Sequence, residues 1–167
     1  MMRSLLSLAL LVAAAASAAA ATPSACDVLS AAEIAAVQGQ RYTDAKLTES
    51  HVGELAVSQC FYELPAFAKS VSVEIFRGDV DELWHQVEGD EEEHEGEGGE
   101  KGEELEAARR EIEGVGEDAL WSGTKITGAL YVRGENAVLR ISVGGPWSED
   151  EKIAKSKKLA LKILPRL

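Results

Sequence analysis

Two cysteines and three histidines are the side chains best suited to chemistry in this sequence. Cys26 and Cys60 form an even pair, which in an oxidising compartment reads as a disulfide. Two separate thiols, or a lipidated Cys26 beside a free Cys60, are the alternatives. His85 adjoins Trp84, His51 stands alone, and His94 lies among Glu91, Glu92, Glu93 and Glu95. Carboxylates and an imidazole suit a divalent ion, but calcium also needs defined geometry, and no EF-hand spacing is present. The run reads as a solvated charge segment, so no metal ligand is expected.

Other motifs of catalysis are missing. The sequence has no G-x-S-x-G, no H-E-x-x-H, no C-x-x-C and no glycine loop that could cradle phosphate ahead of a helix. Gly114-Val115-Gly116 is followed by Glu117 and Asp118, whose charges repel phosphate. A turn that tucks Trp121 under a sheet is the expected role of these glycines. Trp84, Trp121 and Trp147 read as core anchors, not as walls of a cleft, since tryptophan is usually well buried. No catalytic residue and no cofactor are therefore expected. Glu82, His85 and Asp118 would be the residues of the rival reading, an unrecognised hydrolase or metal-dependent enzyme with a scattered site.

The compartment follows from the start of the chain. Met1 to Arg3 make a short positive region, Leu5 to Val12 an apolar one, and Ala13 to Ala21 a run of small residues. This is the pattern of a cleavable secretory signal peptide over residues 1–21. The apolar run is far shorter than the ~20 residues of a membrane span. Pro23-Ser24-Ala25 ahead of Cys26 lacks the leucine of a lipobox, so lipid anchoring is not expected. The expected location is outside the cytoplasm, periplasmic or extracellular.

Removing the leader leaves 16 bases against 29 acids, a formal charge of −13. Residues 88–106 hold 11 of those acids and a single base, Lys101. The remainder is near neutral, at 15 bases and 18 acids. Nucleic-acid binding needs a strong basic excess to meet phosphate, and this net-acidic chain does not point to such a partner. The acidic stretch is low in apolar residues and self-repelling, so it reads as a disordered loop inserted in one domain over 22–167. Its end, Leu105 to Ile112, is composed of helix formers.

Local signals set the elements. Ser30-Ala31-Ala32-Glu33 and Ser148-Glu149-Asp150-Glu151 are capping boxes, each opening a helix. Gly39 ends the first; Pro165 ends the last. Asp79 is the expected N-cap of a middle helix with Val80, Leu83, Trp84 and Val87 on one stripe. On the last helix, Lys152, Lys155, Lys158 and Lys162 mark the side opposite the apolar stripe. Strands are expected over 41–49, 54–64, 70–76, 130–133 and 138–143, the last with Leu139, Ile141 and Val143 facing away from Val138, Arg140 and Ser142. The expected fold is α+β: a mainly antiparallel sheet of about five strands, helices packed on it, and one disulfide.

These features together resemble a family of small bacterial exported proteins and lipoproteins of unknown function, abundant in actinobacteria. The shared features are the exported leader, the Cys before a helix boxed by Leu29, Ser30 and Glu33, the Cys60-Phe61-Tyr62 strand, the Gly114–Trp121 turn and the lysine-rich last helix. That family is similar to extracellular sensor domains of some serine/threonine kinases. The resemblance implies an α+β domain with a Cys26–Cys60 bridge and no catalytic residues. It suggests a binding or sensing role, with an unknown protein or small envelope ligand as partner; the charge and the short apolar run, read above, add the expectation of no nucleic acid and no membrane span.

Overall fold

The computed structural model describes residues 22–89, 108–124 and 127–167. The leader, His94 and residues 90–106 of the acidic stretch lie outside them. The described elements run α1 (Ala31–Gln38), β1 (Asp44–Val52), β2 (Leu55–Glu63), β3 (Val71–Arg77), α2 (Asp81–Glu88), β4 (Ala108–Glu111), β5 (Asp118–Gly123), β6 (Gly128–Arg133), β7 (Ala137–Val143) and α3 (Glu149–Ile163). The strands form one sheet in the order β1-β2-β3-β7-β6-β5-β4, with every neighbouring pair antiparallel. Two meanders, β1–β3 and β4–β7, meet where β3 pairs with β7.

The α+β class and the antiparallel sheet are as expected, but the sheet has seven strands, not about five. The two extra strands are β4 and β5. Ala108–Glu111 was expected to be helical, and it instead pairs with β5 as an edge strand, a tertiary override of local propensity. The expected turn ending at Trp121 is shorter than the residues assigned to it, because Asp118–Gly123 already lies in the sheet.

One face of the sheet carries the main core. Val73, Ile75, Leu139, Ile141, Leu130, Val132 and Trp121 lie on it, each buried, beneath α1 and α3. Both capping boxes are formed: the Ser30 and Ser148 side chains accept from the amides of Glu33 and Glu151, whose carboxylates accept in return from the serine amides. α1 ends at Gly39, whose φ of 77° is the left-handed region open to glycine. α3 lays Ile153, Leu159, Ala160 and Ile163 against the sheet. Its lysine side is not wholly exposed: Lys152 is buried, and Lys155 runs back over Trp147 to donate to the Val37 carbonyl at the end of α1. Long aliphatic stems allow a lysine to cover apolar surface in this way.

The disulfide joins Cys26 to Cys60. It fastens the segment ahead of α1 to β2, and two hydrogen bonds reinforce it. The Tyr62 hydroxyl donates to the Ala25 carbonyl at 2.7 Å, and the Ala25 amide donates to Ser58 Oγ at 2.8 Å. Burial pushes the Tyr62 phenol far above its ordinary pKa. At the other end of the chain, Arg166 donates to the Val28 carbonyl and to both carboxylate oxygens of Glu33. No helix among the described residues is long and apolar enough to cross a membrane.

Candidate functional site

The described residues cover the second face of the sheet only in part. Among the described residues α2 alone lies on it, through the expected stripe: Val80 and Trp84 are buried against Leu120 and Val138, with Leu83 and Val87 half-buried beside them. Its start differs from expectation. Val80 occupies the cap position, while the Asp79 carboxylate accepts from the Asp81 amide. Asp81 is then held to β6 by Arg133 at 2.5 Å.

To one side of α2 is a cavity of about 480 Å3, bounded by Trp84, Glu88 and residues 111–120. The Gly-Val-Gly turn forms part of its wall. Gly114 and Gly116 have φ of 72° and 66°, and Val115 is buried between them. A Cβ on Gly116 would overlap Val132 and the Arg133 carbonyl, which explains why glycine stands there. The turn thus leads into β5, where Trp121 is fully buried as a core anchor.

The other side of α2 opens into a groove of about 420 Å3. Its floor is built by register. Gln59 pairs with Glu74, Glu74 with Arg140, and Arg140 with Tyr131, so four polar side chains form a row across β2, β3, β7 and β6. Such directly opposed residues are the contact unit of a sheet. Glu74 Oε1 accepts from Gln59 Nε2 at 3.0 Å and from Arg140 Nη1 at 2.5 Å. Arg140 Nε donates to the Tyr131 hydroxyl at 3.0 Å. Burial alone would lower the Arg140 pKa; Glu74 and Tyr131 more than offset it and hold the guanidinium above its usual value. Arg109 lines the same groove from β4, its head packed against Gly89 at the end of α2.

The residues of the rival enzyme reading do not meet. Asp118 lines the cavity on one side of α2. Glu82 lines a different hollow, near the β1–β2 turn. The His85 side chain is largely exposed, 3.8 Å from Glu88. His51 is exposed on edge strand β1. Among the described residues no three His, Cys, Asp or Glu side chains are grouped to hold a metal ion. Trp147 is half-buried, flanked by Lys69 and Lys155, with its indole N–H donating to the Gly144 carbonyl.

Sequence reading placed Arg140 on the face opposite Leu139, Ile141 and Val143 but did not single it out. It overlooked Glu74, Tyr131 and Arg109 as site residues. A charge in the middle of each of two apolar strands, Glu74 in VSVEIFR and Arg140 in AVLRISV, was the available signal.

No protein-family model matches the chain, and no curated protein matches it. Among solved structures, a GTP-binding regulator from Thermotoga maritima is similar at a TM-score of 0.44 and 10% identity, over 82% of this chain and 89% of that one. A likeness of that degree assigns no activity. The fold and site define a disulfide-bonded α+β domain with a polar row and a groove on its partly open sheet face.

Proposed function

We propose that this chain is an exported binding or sensing domain, acting without catalysis outside the cytoplasm on a protein or small ligand of the bacterial envelope. The groove beside α2 is the observation that carries the reading. It sets an ordered polar row beside half-buried apolar side chains in one recess, so it offers both directional and apolar contacts. The Cys26–Cys60 bridge supports the export part, since disulfides persist in oxidising compartments. The leader pattern over residues 1–21 supports export as well.

The test is to incubate the oxidised domain with envelope extract, recover bound material and identify it by mass spectrometry. A ligand returned chemically unchanged after prolonged incubation supports the reading. Time-dependent conversion of the bound molecule would overturn it in favour of an enzyme. Retention of nothing above a heat-unfolded control would overturn it as well.

A further inference from the structure

Among the described residues the groove beside α2 has an excess of cationic side chains. Glu74 spends Oε1 on Gln59 and Arg140. Arg140 spends Nε on Tyr131 and Nη1 on Glu74, and among the described residues Nη2 has no partner. The Tyr131 hydroxyl accepts from Arg140, so its own proton is available to donate. Arg109 adds a second guanidinium, and among the described residues no carboxylate pairs with it. Among the described residues two guanidinium groups face this groove against one carboxylate, Glu74, and that charge imbalance calls for a negative ligand.

The walls add a second requirement. Phe76, Leu83 and Val87 line the same groove, each half-buried, so part of their apolar surface still meets water. An inorganic anion would leave that surface wet. A ligand with an apolar stem would cover it and gain from its burial. The Arg140 side chain is about one-third exposed, at 32%, so it is reachable yet held in place by two partners. A guanidinium fixed in this way meets a planar carboxylate with little entropy left to lose.

We infer that the groove between α2 and the sheet is a receptor for a small amphipathic carboxylate, its acid group on Arg140 and Arg109 and its stem against Phe76, Leu83 and Val87. The inference rests on the binding reading above and gives it a ligand class.

Octanoate is the probe, titrated into the isotope-labelled oxidised domain and followed by amide chemical shifts, with octan-1-ol and acetate as parallel arms. The expected result is saturable shifts confined to α2, β3, β4, β6 and β7. Octan-1-ol and acetate should each bind at least about tenfold more weakly, since each lacks one half of the contacts. Arg140→Lys, which keeps the charge and loses the fork, and Arg109→Gln should each weaken octanoate about tenfold. Arg109 is exposed, so its substitution leaves the core intact and covers the case of a misfolded Arg140 variant. Equal binding of octan-1-ol, equal binding of acetate, indifference to both substitutions, or no shift at millimolar octanoate would each overturn the inference. Any of these beside a retained envelope ligand would remove the groove's ligand class while leaving the binding reading in place.

Discussion

Removing the disulfide should cost this domain a large part of its stability. Cys26 and Cys60 are 34 residues apart in sequence, and the chain-entropy relation gives ~4 kcal/mol for closing such a loop in the unfolded chain. A domain of this size has about 5–15 kcal/mol in all. In the native state the same segment keeps its bonds from Tyr62 and to Ser58, so the folded geometry survives without the bridge. The loss therefore falls mainly on the unfolded side. The double variant Cys26→Ala/Cys60→Ala should fold, unfold at lower guanidinium concentration, and show a steeper denaturant dependence, because its unfolded chain is less compact. Buried Trp84 and Trp121 make tryptophan fluorescence a suitable signal. Wild type treated with a reductant should approach the variant. Coincident unfolding curves for oxidised and reduced protein would refute the reasoning, and so would two reactive thiols in the denatured wild type.

Three further outcomes are expected. Arg166, followed by the Ser30 amide, holds the Glu33 carboxyl down to about 2 from 4.5. A depressed carboxyl stabilises the fold above its unfolded value, and that contribution fades as pH falls from about 4.5 towards 2. Glu33→Gln should therefore reduce the stability difference between pH 7 and pH 3 by ~1 kcal/mol, a figure discounted for the exposure of Arg166; urea denaturation at both pH values measures it. Gly116→Ala should cost at least ~2 kcal/mol, from a strained positive φ and the overlap with Val132 and Arg133. Gly39→Ala, with a similar φ but open space around it, should cost only ~1 kcal/mol, so thermal melts of the pair separate crowding from backbone strain. Intact mass of the protein recovered outside the cytoplasm should match a chain beginning near Thr22, free of lipid and oxidised at both cysteines; a retained leader or an acyl mass would contradict the export reading.

The contrast between legible and illegible elements has a physical cause. Ser30-x-x-Glu33 and Ser148-x-x-Glu151 are local codes, and each closes within one turn of helix. β3 was legible because one of its faces is buried and the other is not, which leaves a period of two. β5 was not, because Leu120 is buried under α2 while Trp121 is buried on the opposite face. Burial on both sides erases the alternation. β1 is almost wholly exposed, and its nine residues are strand because β2 pairs with every one of them. The groove was hidden for a related reason. Glu74 and Arg140 lie 66 positions apart, and only the β3–β7 register brings them opposite each other. Arg109 joins them through β4, the strand that local propensity had marked as helix.

The central claim is that this domain binds its ligand through the partly open sheet face beside α2. The most direct measurement is an amide chemical-shift map of the oxidised domain with the material it retains from envelope extract. Shifts clustered on α2 and the β3, β7 and β6 strands around Glu74, Arg140 and Tyr131 are expected. Shifts confined to the α1–α3 layer would contradict the claim.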